Sequence, residues 1–348
     1  MKRILSVFTA AMLSISLLAG CGTTSGQQQN AGVSEKNLTE QVQTTGYEDG
    51  VAVRIASLSG PTTMGLAQLM KGNEAAAEHY VFNEPYTSAD EIVPLIVKGE
   101  VDVALVPANL ASTLYQKTDG GVQAAYINTL GVLDVVASKE ETLTSYADLV
   151  GKTVFLPGSG KGATPEAAAR FLAEKSGIGA DGLTLDFSNP EATGVVAALS
   201  ANSTAIAILP QPFATVAVTQ NDKLEIKFSL TDAWNQFAED DSQLLTGVTL
   251  VRKEFAEQHP AAVRQFLLDA ADSVDYVNNH AEESSAWIEQ LGIVKAPIAQ
   301  KAIPRCNLVC ITGNEMKATL SAYLQTLSEF DAKLVGGTLP DEAFYFIP

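Results

Sequence analysis

Cationic residues are scarce: 22 Lys and Arg stand against 40 Asp and Glu, a formal net charge of −18. Such a surface repels phosphate backbones, which excludes a protein that tracks nucleic acid, and it gains nothing from anionic headgroups. Histidine and cysteine number three each. His79, His259 and His280 are distant in sequence from Cys306 and Cys310, so no spacing suggests a zinc site or another metal, and none suggests a resident cofactor. The histidines fall in or beside helical stretches and read as solvated, as do the paired carboxylates Asp240-Asp241 and Glu282-Glu283.

Catalytic signatures are missing as well. A phosphate-binding loop needs Gly, four residues, then Gly-Lys-Ser/Thr. Gly160-Lys161 is followed by Gly162, with Phe155 in the first glycine's place, and Gly151-Lys152-Thr153 has Tyr146 there. The dinucleotide fingerprint fails at Ala163, and no Gly-x-Ser-x-Gly elbow occurs. No repeat of fixed period is present. Cys306 and Cys310 could close a disulfide across one turn or remain two reduced, partly buried thiols.

What is present begins at the N-terminus. Lys2 and Arg3 precede an uncharged run from Ile4 to Leu18, and Leu18-Ala19-Gly20-Cys21 follows directly. Basic, apolar, then small residues is the order of a secretory signal. The run is shorter than the roughly 20 residues of a membrane span. Leu18-Ala19-Gly20-Cys21 resembles the bacterial lipobox. The resemblance implies a lipoprotein signal peptide over 1–20 and a diacylglyceryl thioether on Cys21. Two acyl chains bury many methylenes, each contributing roughly 0.8 kcal/mol. Residues 21–50 have almost no apolar periodicity and read as a flexible tether. Loss of Lys2 and Arg3 with the leader takes the net charge from −18 to −20.

The remaining roughly 300 residues suffice for two lobes. Strands and helices alternate through the body. Val51 to Leu58, Val81-Phe82, Val101 to Val106 and Gln123 to Ala137 read as strands, the last broken near Asn128. Ser88-Ala89-Asp90-Glu91 is a capping box opening a helix that contains Pro94. Thr153 to Leu156, Leu183 to Phe187, Ala205 to Leu209 and Leu224 to Ser229 repeat the pattern, with Thr164 expected to cap a helix. Thr246 to Val251 returns to the first half. Val263, Phe266, Leu267, Ala270, Val274 and Val277 then recur at helical spacing, and further helices hold Trp287 and the run from Asn314 to Phe330. The fold class is therefore α/β with parallel-rich sheets. Lobe 1 is expected over 51–135 plus 246–348 and lobe 2 over 136–245, with two crossing strands as hinge.

In open α/β sheets ligands lie beyond the carboxyl ends of the strands. The candidate ligand-binding residues there are Gly60, Pro61, Thr62, Thr63, Asn83, Pro107, Asn109, Asn128, Ser159, Gly160, Lys161, Thr164 and Gln211. Several of these loops run into helix starts, whose free N–H groups bind oxygen acceptors. Taken singly, each Ser, Thr or Asn is equally a helix cap. Tyr86, Tyr126, Phe213 and Trp234 stand near these loops and could stack on a ring or simply pack the core.

Four segments carry a family resemblance: Lys98-Gly99-Glu100 leading into Val101-Asp102-Val103-Ala104, Leu149-Val150-Gly151-Lys152-Thr153-Val154, Pro157-Gly158-Ser159-Gly160, and Leu209-Pro210-Gln211-Pro212-Phe213-Ala214-Thr215. In order and spacing they resemble the ABC-importer solute-binding proteins of the nitrate, alkanesulfonate, taurine and thiamine-pyrimidine-precursor group. That implies a two-lobed type II periplasmic-binding fold that closes on a small organic or oxyanion ligand. It implies an ABC permease and its ATPase as partners, a monomeric non-enzyme, and a place on the extracytoplasmic face of the cell membrane. Gln211 stands where many relatives carry Glu, and Lys161 is the one basic residue among the candidate loops. The alternatives are a subunit presenting ligand to a membrane sensor, or an enzyme acting on a pyrimidine precursor. The fungal pyrimidine synthase of this fold relies on a cysteine-rich motif that is absent here.

Overall fold

Among the described residues, eleven strands are arranged in two sheets. The computed structural model describes residues 46–179, 181–237 and 242–348. The expected signal peptide, Cys21, most of the expected tether and Asp240-Asp241 lie outside the described residues. The first sheet has the order β11-β4-β10-β3-β1-β2. Its strands are β1 (Val53–Ser57), β2 (Tyr80–Phe82), β3 (Val103–Pro107), β4 (Val122–Leu130), β10 (Leu245–Arg252) and β11 (Leu308–Ile311). The second has the order β7-β6-β8-β5-β9. It consists of β5 (Leu133–Ser138), β6 (Thr153–Phe155), β7 (Thr184–Asp186), β8 (Ile206–Pro210) and β9 (Leu224–Ser229).

Each sheet is parallel on one side only. β1 pairs parallel with β2 and β3, and β6 with β7 and β8. The strands that carry the chain between sheets run against their neighbours: β10 is antiparallel to β3 and β4, and β5 to β8 and β9. A strand arriving from the other sheet enters from the opposite end, so the alternating pattern alone overstates the parallel content. The break expected near Asn128 is displaced: β4 runs on to Leu130, and the first crossing is Gly131-Val132.

Burial on both faces explains the composition of these strands. β3 is a continuous apolar run with Val103, Ala104, Leu105 and Val106 all buried, as a strand covered on both faces requires. The helix Pro260–Asn279 lays Val263, Phe266, Leu267, Ala270, Val274 and Val277 on the first sheet, the stripe anticipated from spacing. Each such large side chain contributes roughly 1.5–3 kcal/mol. The helix Ala89–Lys98 opens with the Ser88/Glu91 capping box, runs through Pro94, and stops at Gly99 with φ 72°. One buried cluster includes residues of both sheets, among them Val106, Val135, Val154 and Leu250.

Asp102 fastens the first sheet electrostatically. Its side chain is 2% exposed. It accepts from Arg54 Nε at 2.8 Å and Nη2 at 2.6 Å, and from Arg252 Nη2 at 3.3 Å, so one carboxylate ties together the leading end of β1, the start of β3 and the far end of β10.

The end of the expected tether is held. Tyr47 stacks on His79 with ring centroids 3.6 Å apart and donates its hydroxyl to Asp269. Glu48 meets His259 Nδ1 at 2.9 Å. Val53 N donates to His79 O, so this contact lies at the leading edge of β1 and β2, opposite the loops that follow their carboxyl ends. No helix among the described residues is long and apolar enough to cross a membrane.

Candidate functional site

Two helices, each following a strand of a different sheet, meet at their starts. Ala108–Lys117 follows β3, and Thr164–Lys175 follows β6 and its glycine-rich turn. Neither has a side-chain cap. Thr164 was expected to cap its helix, but the N-cap is Ala163 and Thr164 is the first helical residue. Its hydroxyl is thereby released. It donates to Asn109 Oδ1 at 3.3 Å and accepts from Tyr323 OH at 3.3 Å. Asn109 follows a strand of the first sheet, Thr164 a strand of the second, and Tyr323 lies on the helix Gly313–Phe330. Three polar side chains from separate elements thus meet between the layers.

An aromatic wall backs this meeting point. Trp234 packs against Phe171 at 4.3 Å and against Tyr323 at 6.1 Å between ring centroids. Trp234 and Tyr323 are fully buried. Among the described residues the Trp234 indole N–H has no hydrogen-bond partner. Burial pushes the Tyr323 phenol upward, so it stays a neutral donor.

A second group of expected residues gathers at the end of the first sheet. Gly60 (φ 121°) opens a single turn, Pro61–Met64. The Thr62 and Thr63 hydroxyls both donate to Leu58 O at 2.6 Å, so they stabilise that turn. Gly247, paired with Pro107, lies against Asn128 and Thr62: a Cβ there would stand 2.2 Å from Asn128 Oδ1 and 2.5 Å from Thr62 Cγ2. Asn128 is buried; its Nδ2 donates to Thr249 Oγ1 at 3.0 Å and its Oδ1 accepts from Thr129.

The remaining expected residues go elsewhere. Gln211 is turned into the second layer, donating to Asp134 Oδ2 at 2.7 Å and accepting from Thr215 at 2.8 Å. Asn83 donates to Tyr86 OH at 2.8 Å. Gly160 is buried against Pro165, while Ser159 is exposed. Lys161 borders an open groove of about 460 Å³ with Gly158, Asp186, Phe187 and Ser188, along β7. Tyr126 lies in the core of the first sheet. Cys306 and Cys310 are free, buried thiols. Among the described residues no cluster of His, Cys, Asp or Glu could hold a metal ion.

Sequence reasoning missed Tyr323, Asp134, Gly247 and Thr249. All four read locally as ordinary helix or strand residues. Tyr323 alone left a signal, an aromatic with a polar tip inside an otherwise aliphatic helical stripe.

Residues 81–284, well over half of the chain, match the family described as NMT1/THI5 like. The chain belongs to the NMT1/THI5-like family. Solved structures agree with this at the level of fold. An ABC transporter structure from Parabacteroides distasonis superposes with a TM-score of 0.70 at 21% identity, covering 86% of this chain and 99% of that one. The periplasmic aliphatic sulphonate binding protein SsuA from Escherichia coli gives 0.68 at 14% identity, with 85% and 92% covered. The desulfurization enzyme DSZB gives 0.61 at 13% identity, with 85% and 96% covered. No curated protein matches in sequence. The NMT1/THI5-like fold therefore appears here as the expected two-sheet α/β architecture.

Proposed function

We propose that this NMT1/THI5-like protein is the extracytoplasmic solute-binding subunit of an ABC importer. The observation that carries the reading is the meeting of Asn109 and Thr164, each at the uncapped start of a helix and each following a strand of a different sheet. A ligand held between these helix starts touches both layers only when they are together, so binding favours closure. The fold shared with transporter-binding proteins supports the same role. The lobes of this reading follow the two sheets: the expected bounds of 135 and 246 shift so that β5, from Leu133, goes with the second lobe and β10, from Leu245, with the first.

The ligand is a small molecule presenting acceptor atoms. Uncapped N–H groups and the Asn109 amide supply donors, and Trp234, Phe171 and Tyr323 supply an apolar wall. Gly60 to Thr63, Pro107 and Asn128 form the rim of the first lobe and Ser159 to Thr164 that of the second. The permease and its ATPase receive the closed form. The mature chain is a monomer, held to the outer face of the cell membrane by lipid on Cys21.

The likeness to DSZB extends to the fold, and the buried thiols of Cys306 and Cys310 suit packing better than catalysis. Native mass spectrometry of the purified protein, followed by calorimetry with the compound released, tests the role. One unchanged compound per chain, rebinding with micromolar or tighter affinity, is expected. Conversion of that compound on the protein would overturn the binding role in favour of an enzyme. An unacylated Cys21 in the native protein would remove the membrane assignment.

A further inference from the structure

The two crossings between the sheets converge on one carboxylate. Asp134, the second residue of β5, has a side chain only 5% exposed. Oδ2 takes one neutral donor, Gln211 Nε2. The cation facing Oδ1 is Arg305 Nη1, at 4.0 Å, the outer limit of an ion pair. Asp232, on the short helix Leu230–Asn235 at the start of the second crossing, faces it with like charge, and the Cys306 thiol lies within its field. Arg305 and Cys306 precede β11, so the cover over this second-sheet carboxylate comes from the first layer.

The surroundings hold the backbone of the crossing closely. Asn307 accepts from Leu130 N and donates its Nδ2 to Gly131 O at 2.5 Å. Gln211 N donates to Val132 O at 2.9 Å. A Cβ at Gly131 would stand 2.3 Å from Thr231 Oγ1 and 2.9 Å from Leu244, so the two crossings touch there. Thr231 Oγ1 is itself buried without a partner among the described residues. Among the described residues, an ionised carboxylate at this point has one amide donor, one distant guanidinium and one repelling neighbour. Its charge is under-compensated.

We propose that Asp134 is a proton-operated element of the hinge: neutral Asp134 permits the crossings to pack as they do here, and ionised Asp134 favours a looser, hydrated arrangement of the two layers. Burial pushes the carboxyl up to about 6, with Gln211 and Arg305 pulling it back and Asp232 adding to the rise. The packed arrangement therefore binds a proton more tightly than a solvated one. It is favoured at acid pH and loses that advantage as pH rises from the ordinary carboxylate range through about 6. The proposal rests on reading the two crossings as a hinge and needs no captured solute.

Amide hydrogen exchange of the full mature chain at pH 5 and pH 8, corrected for intrinsic exchange chemistry, tests it. Protection of the amides at 130–135 and 230–235 is expected to fall about tenfold from pH 5 to pH 8, with β3 unchanged as internal reference. Asp134→Asn, which keeps an acceptor for Gln211, is expected to hold the pH 5 protection at both values. Arg305→Gln is expected to move the midpoint upward. Wild-type protection that does not change, or an Asp134→Asn chain that loses protection as the wild type does, would overturn the proposal. Neither result bears on solute capture, which is judged by the co-purifying compound.

Discussion

The Thr164 hydroxyl donates to Asn109 Oδ1 across 55 residues of sequence, joining a helix start that follows one sheet to a helix start that follows the other. Because Tyr323 donates into the same hydroxyl, its proton is directed at Asn109, and the Asn109 amide group stays available as a donor.

That relay sets the first prediction. Thr164→Val keeps the shape and removes both hydrogen bonds. The compound released from the purified protein should rebind about tenfold more weakly by calorimetry, near the 1–1.5 kcal/mol of one hydrogen bond. The thermal midpoint should also fall, because the buried Tyr323 hydroxyl loses its acceptor. Unaltered affinity would remove this pair from the site.

The Asp102 cluster makes a prediction about stability. Asp102→Asn leaves the guanidinium groups of Arg54 and Arg252 without their shared counter-charge. Urea unfolding should show a loss of about 2–3 kcal/mol, as hydrogen bonds to charged groups imply. Arg54 is partly exposed, so Arg54→Gln should cost less.

At the first crossing, Gly131 is required by contact. Gly131→Ala places a methyl against Thr231 Oγ1 and Leu244. A loss of about 1–3 kcal/mol in unfolding free energy is expected from such overpacking. Adding Thr231→Ala should recover part of it. Adding Thr231→Ser, which keeps the oxygen, should recover little.

The two thiols give a chemical test. Burial pushes the Cys310 thiol up to about 12 and Cys306 upward as well, with the Asp134 charge adding to the latter. Thiolate is the reactive form. At pH 8 a disulfide reagent should react with Cys306 and Cys310 on the order of a thousandfold slower than with free cysteine. The rate should climb along the urea unfolding curve. Fast labelling of the folded protein would contradict the packing described.

The fold was legible because its signals are local and periodic. The Ser88/Glu91 box, the buried run at Val103–Val106 and the stripe from Val263 to Val277 each state their structure within a few residues. The break expected near Asn128 comes instead at Gly131, after β4 has run on to Leu130. Nothing local marks a glycine that must admit Thr231, a residue 100 positions later. The site was less legible for the same reason. Asn109 and Thr164 were expected and do meet. Gln211 was expected beside them and instead spans Asp134 and Thr215, because an amide with two engaged ends looks the same in sequence as one left free. Tyr323 entered the site through tertiary packing alone.

The seating of Tyr47 and Glu48 against His79, Asp269 and His259 fixes where the chain enters the described body, at the leading edge of β1 and β2. That entry point lies at the opposite end of β1 from the loop that follows its carboxyl end. A bead, chip or fluorescent partner joined upstream of Tyr47 should therefore leave the mouth unobstructed, whereas a bulky label near Asn83 or Gly60 would crowd it.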